Sequence, residues 1–326
     1  MSFSWDHSLF EGIEEDFKSR FPCYHKSRRE GICLLSALML EVRSANLMEI
    51  ASALPRDIAH MDERYRYVER LLSNPHIDVD TLSGGYVGPV LKRLCADGQS
   101  IVLMIDQSHI NNECEVLMLS IRVGERAIPF LWRVRRTQGN IGFDVQKELL
   151  DAARAFIPEG AQILLAADRF YGTAALIGWC QDAGWQYRIR LKGNLGLAHK
   201  DGEMSTGDIL RLCPEGLTSA ELYGSGVRTN IGVLHEKGHK EPWIIAMDCP
   251  PGKYNVLDYG MRWGIEAMFS DFKSRGFGLM SSRIQKPDRL EKLILVMAIA
   301  MHWAVSCGMF QKQKTAQDGI KRGFGR

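Results

Sequence analysis

Two aspartates are marked by their surroundings. Asp106 sits inside the apolar run LMIDQSH, and Asp168 ends the run LLAAD in LLAADRFYG. A carboxylate on an apolar strand is costly to bury unless it is paired or holds a cation. Each alone also reads as a strand-end cap or turn residue, but on neighbouring strands the two would converge and begin a site for a hard cation. A third group comes from Tyr259-x2-Arg262-x3-Glu266-x6-Lys273. At about 100° per residue, a regular α-helix holds these four within about a 60° arc. One stripe then presents a phenol, a guanidinium, a carboxylate and an ammonium. As a solvated face, the stripe would be worth only the i, i+4 pair of Arg262 and Glu266, roughly 0.2–0.5 kcal/mol. Its flanking residues Met261, Trp263, Ile265 and Phe269 argue instead for a helix covered on both sides.

The elements that must position these groups follow from periodicity. Residues 1–98 read as helical, with breaks at Ser44 to Asn46, Pro55 and Pro75, and with Asn46 and Asp57 as expected N-caps. Short helices with tight turns there fit a helix-turn-helix unit in which Arg64, Arg66 and Arg70 meet DNA phosphates. The region carries 12 Lys and Arg against 15 Asp and Glu, so its overall charge lends no support and a solvated arginine face is the alternative. From 99 the pattern shortens. SIVLMID, ECEVLMLSIRV and RAIPFLWRVRR predict a meander of three antiparallel strands, followed by a helix in DVQKELLDAARAFI, a strand in QILLAAD, a helix over 173–183 and a strand in WQYRIRLKG. That order predicts an α/β fold with a mixed sheet. Residues 199–250 read as a β-rich insertion, and 251–326 as a returning helical segment with a tail irregular beyond Lys314.

Composition narrows the class. The 326 residues hold 41 Lys and Arg against 39 Asp and Glu, which excludes a strongly charged tail protein. Residues 271–326 nevertheless hold 11 basic against 4 acidic side chains, a basic C-terminal quarter under a neutral total. Eight cysteines form no C-x-x-C pair, and the N-terminus lacks a basic-then-apolar signal pattern. The expectation is a reduced, cytoplasmic protein without structural zinc. Leu293–Phe310 approaches the length of a membrane span, but His302, Ser306 and Gly308 interrupt it, and a buried core helix is the preferred reading.

The order Asp106, Asp168, Glu266, with the glutamate inside Y-x2-R-x3-E-x6-K, resembles the DDE transposases of bacterial insertion sequences, in the IS-four group defined by that motif. The resemblance spans about residues 28–312. It implies an RNase H-like core over 99–198 and 251–326, interrupted by the β-rich insertion at 199–250 and preceded by the helical DNA-binding region of 1–98. It also implies Asp106, Asp168 and Glu266 as catalytic ligands of two Mg²⁺ ions, with Mn²⁺ as a substitute and Asp106 bridging the pair. Tyr259, Arg262 and Lys273 would contact DNA at the cut. Double-stranded DNA at terminal inverted repeats and at the target would be the partner, with a homodimer in the synaptic complex, in a bacterial, nucleoid-associated setting. Readings of another kind are a structure-selective RNase H-like endonuclease and an inactive DNA-binding remnant.

Several features compete for attention. His235-Glu236-Lys237-Gly238-His239 spells the zinc-protease pattern H-E-x-x-H, but Gly238 and the nearby Pro242 predict a turn rather than the helix that pattern needs. His109 reads as a strand-end residue. Trp243 has two readings, a core strand tryptophan or a platform for a flipped base. Arg133, Arg135 and Arg136 form a weaker phosphate-contacting strand end.

Overall fold

Helical spacing in the first hundred residues folds as α1 (His7–Arg20), α2 (Lys26–Val42), α3 (Leu47–Ser52), α4 (Met61–Leu72) and α5 (Val79–Ala96). Asn46 caps α3 as its side chain dictates, accepting from the Met48 amide at 2.9 Å. Asp57 does not cap α4, contrary to expectation. That helix starts at Met61 with His60 in the cap position and no side-chain bond to its first turn. The computed structural model describes residues 7–200, 202–235 and 240–323.

The short apolar runs become strands interleaved with helices: β1 (Ile101–His109), β2 (Cys114–Val123), β3 (Arg126–Arg136), α6 (Phe143–Arg154), β4 (Ile163–Ala167), α7 (Ala174–Ala183) and β5 (Gln186–Arg190). The polar, Gly-rich stretch adds β6 (Gly196–His199), β7 (Gly202–Ser205), α8 (Ile209–Leu212), β8 (Leu217–Leu222), β9 (Arg228–Leu234) and β10 (Trp243–Met247). Among the described residues ten strands join one sheet in the order β3-β2-β1-β4-β5-β10-β9-β8-β6-β7. β1, β4 and β5 run parallel, and the other described pairings are antiparallel. The strands read as an insertion therefore extend the central sheet from its β5 edge. Leu103, Ile105, Phe130, Leu149, Leu165 and Tyr187 belong to the core between this sheet and its helices.

After the sheet the helix changes type repeatedly. α9 (Lys253–Leu257) passes into a 3₁₀ segment over Asp258–Trp263, then α10 (Gly264–Ser270), then a π-helical turn over Asp271–Arg275. The single regular helix assumed for the Tyr259–Lys273 stripe is thus not formed, and the arc derived from 100° per residue does not apply. The chain then enters α11 (Pro287–Gly323), with proline at the first helical position where its missing N–H costs nothing. This helix continues through the stretch beyond Lys314 that sequence reads as irregular. Residues Pro287–Gln311 are long and apolar enough to cross a membrane, yet Leu293–Met301 is buried throughout.

Two units emerge from the packing. One collects Met1–Tyr86, Ile110–Cys114 and Ser270–Arg326, and the other Val87–His109 and Glu115–Phe269, which holds the sheet. All eight cysteines are free thiols.

Candidate active site

β1 is buried from Ile101 to Ile105 and emerges from the core at Asp106. β4 is buried along its whole length and ends one residue before Asp168, which caps the 3₁₀ turn Arg169–Tyr171 by accepting from the Arg169 amide. The parallel register sets Ile105 against Ala167, so the next residue on each strand is an aspartate. Both carboxylates consequently lie at the carboxyl end of adjacent parallel strands, where open α/β sheets place their ligand crevices.

The 3₁₀ segment Asp258–Trp263 packs on β4 and β5 and delivers Arg262 to this crevice. Gly264 permits the close approach of the following helix, since a Cβ there would stand 3.2 Å from the Ala127 nitrogen at the start of β3. The Arg262 side chain is only 5% exposed. Its Nη2 lies 2.7 Å from Asp106 Oδ2 and 3.6 Å from Asp168 Oδ2, and its Nη1 lies 2.7 Å from Glu266 Oε1. One guanidinium therefore gathers all three carboxylates that sequence singles out. Arg262 was expected to face a DNA phosphate, and it faces these acids instead.

The electrostatics follow from burial. Asp106 accepts from the Gln107 amide at 2.9 Å, yet loss of water pushes its carboxyl up to about 6, with Arg262 pulling it down and Asp168 adding to the rise. Burial disfavours the Arg262 charge, but Asp106 foremost, then Tyr259, Glu266 and Asp168, hold the guanidinium still more firmly in its charged form. Tyr259 is buried with its ring edge-on to Trp243 at 5.2 Å, and burial raises its phenol above the usual value. Trp243 is a core residue, only 6% exposed, which answers the choice between core and stacking platform. Tyr171, which sequence analysis passed over, is buried beside the acids, and its hydroxyl has no hydrogen-bond partner. Burial, then the Asp106 charge, drives its phenol well above the ordinary range.

Beside Asp168 lies a cleft of about 650 Å³ whose lining includes Arg169, Phe170, Arg190, Lys192 and Glu241. Glu241 pairs with Arg169 at 3.1 Å and Arg190 at 3.3 Å, and the Lys192 ammonium stands 5.4 Å from the Phe170 ring centre. The alternating cations of QYRIRLK were the available sequence signal for Arg190 and Lys192.

Other expected contacts lie elsewhere. Lys273 falls in the π-helical turn of the other unit. Arg64 spends its guanidinium on the carbonyls of Ser52, Leu54, Arg56 and Ile58, tethering the loop before α4. Arg66 and Arg70 are exposed on that helix. Arg133 and Arg135 both pair with Glu148, and His109 pairs with Glu115 at 2.9 Å. Of the H-E-x-x-H stretch, residues 236–239 lie outside the described residues.

Three carboxylates are a suitable donor set for a hard divalent cation. In this arrangement the cation they hold is Arg262, and among the described residues no group of three His, Cys, Asp or Glu is spaced to hold a metal ion.

Residues 143–303 match the family model described as "Transposase DDE domain". The matched stretch contains Asp168, Tyr259, Arg262, Glu266 and Lys273 and begins after Asp106. This match supports a DDE transposase. A comparison with curated proteins finds no match.

Proposed function

We propose that the protein is an insertion-sequence DDE transposase of the IS-four group, which cleaves DNA at the element's ends and joins the freed 3′-OH to target DNA. The observation that carries this reading is the convergence of Asp106, Asp168 and Glu266 on one point, in a chain whose residues 143–303 match a transposase domain. The strand order β3-β2-β1-β4-β5, with β1, β4 and β5 parallel, supports an RNase H-like core.

Asp106, Asp168 and Glu266 would hold two Mg²⁺ ions, or Mn²⁺ in their place. Metal held by these acids would supply Lewis acidity, lowering the pKa of an attacking water and offsetting charge on the leaving oxygen. Asp106 and Asp168, fixed by their strand ends, set the position of the reacting phosphate. Glu266, whose side chain is 59% exposed, faces the side from which DNA arrives. The buried phenols of Tyr171 and Tyr259 wall off water behind the acids. Arg169, Arg190 and Lys192 supply positive charge along the adjacent cleft, where a strand would run. Lys273, with Arg66 and Arg70 on α4, makes further phosphate contacts. The working form is a homodimer that pairs two element ends in the cytoplasm, on the nucleoid.

The test is cleavage of a supercoiled plasmid carrying the gene's own flanking ends, in Mg²⁺ or EDTA, by the protein and its Glu266→Gln variant. End-specific, metal-dependent cutting that the variant loses is expected. Cutting that ignores the ends would favour a structure-selective nuclease, and binding without cutting an inactive remnant.

A further inference from the structure

Two buried arginines of the sheet unit show what is unusual about Arg262. Arg188 is as deeply buried, and all three of its nitrogens are used. Nε donates to the Asn255 carbonyl, Nη1 to the Tyr187 carbonyl and Asp248, and Nη2 to Cys249 and Asp258. That is an arginine built into the scaffold. Arg262 binds no backbone carbonyl in its described hydrogen bonds, its buried Nε has no partner, and its pairing is made entirely to Asp106, Asp168 and Glu266. Its partners are the same acids that the proposed function assigns to metal.

Those two cations compete for the same carboxylates. A carboxylate oxygen that accepts from an N–H at 2.7 Å directs its lone pair at the guanidinium. A divalent ion needs those lone pairs at about 2.0–2.6 Å. Bringing it in beside the guanidinium would also set a double positive charge within a few ångströms of a single one that is itself buried. The guanidinium can leave at low cost only if another anion receives it, because an unpaired buried charge is strongly disfavoured. A phosphate diester is such an anion, and guanidinium binds it through two parallel N–H bonds.

We propose that Arg262 is the resident counter-ion of the three-carboxylate site, and that divalent metal takes its place when a DNA phosphate takes the guanidinium. The inference rests on the metal-binding role given to the three acids above. Metal and DNA then bind with positive coupling, which linkage requires to be reciprocal. The free protein holds its acids paired to Arg262 without metal and becomes competent where DNA is already seated.

The test is Mn²⁺ binding to the full chain, measured by calorimetry and by the spin-resonance signal of free Mn²⁺, with and without a duplex of the gene's flanking end. Asp106→Asn gives the background from Mn²⁺ held by the duplex itself. Without duplex, Arg262→Gln is expected to bind Mn²⁺ at least about tenfold more tightly than wild type. Duplex should tighten wild type by about tenfold or more and leave Arg262→Gln within about twofold of its own duplex-free value. Arg262→Lys, which keeps a cation, should remain weak without duplex. Equal or weaker Mn²⁺ binding by folded Arg262→Gln overturns the inference. Should that variant fail to fold, the wild-type pair of titrations decides, and equal affinity with and without duplex overturns it. Mn²⁺ binding that is lost in Glu266→Gln but indifferent to Arg262 and to duplex overturns this inference alone. No Mn²⁺ binding by any form overturns the metal role of the three acids as well.

Discussion

Replacing Arg188 by methionine keeps most of the buried stem and removes the fork that ties three parts of the sheet unit together. The Arg188 side chain is 6% exposed and bonds Asp248 at 2.7 Å, Asp258 at 3.4 Å, the Asn255 carbonyl at 2.8 Å and Cys249 Sγ at 3.2 Å. Asp258 opens the 3₁₀ segment that carries Tyr259 and Arg262, so this fork holds the segment against β5 and the end of β10. Breaking a buried ion pair from one side costs about 3–5 kcal/mol. Asp248 and Asp258 are 30% and 35% exposed, so water recovers part of each orphaned charge, and the expected loss falls to about 2–3 kcal/mol. At roughly 2–4 °C per kcal/mol for a unit of this size, Tm should drop by about 5–10 °C. Thermal melting followed by circular dichroism measures this, and the Arg188→Met, Asp258→Asn double-mutant cycle should show a coupling of about 1 kcal/mol. A variant that melts with wild type, or a cycle with no coupling, would refute the view that Arg188 anchors the segment bearing the site.

Three further outcomes are expected. His302 is buried against Tyr86 near Arg20 and Asp16, and burial, then Arg20, lowers its pKa to about 4. The unfolded chain therefore takes up the proton first as pH falls through about 6.5, so this stability is complete above that value and is lost between about 6.5 and 4. Urea titrations of wild type and His302→Leu at pH 7 and 5 should differ by about 2 kcal/mol more at pH 7 than at pH 5, in favour of wild type. Arg64→Ala should lose about 2 kcal/mol through the four loop carbonyls it frees, whereas exposed Arg66→Ala should stay within about 0.5 kcal/mol and instead weaken duplex binding in a filter assay. Gly232→Ala places a Cβ 2.5 Å from Val256 Cγ2 and 2.8 Å from Met247 Cε. Methionine can swing aside but the β-branched valine cannot, so the melt should show about 1–3 kcal/mol of destabilisation.

The protein's strands were legible because their apolar runs are short and bounded by turn residues, and β1 to β5 fall where those runs lie. The acids were legible for the same reason, as charges set in or at the end of runs otherwise built for a core. Local chemistry also placed the Asn46 cap. It failed at Asp57, where a capping side chain was present but α4 began too far along the chain to use it.

Residue types and spacing by themselves determined that Asp106 lies on a strand, that Asp168 follows the end of one, and that Tyr259, Arg262, Glu266 and Lys273 belong to one helical stretch. They could not say what that stretch faces, because periodicity defines a side of a helix and not its neighbour. Tertiary structure decided that side. Parallel pairing of β1 with β4 aligned the two aspartates, and the 3₁₀ segment over residues 258–263 packs against β4 and β5. Arg262 thereby meets the acids, since two partly buried strand-end carboxylates are costly to leave without a counter-charge.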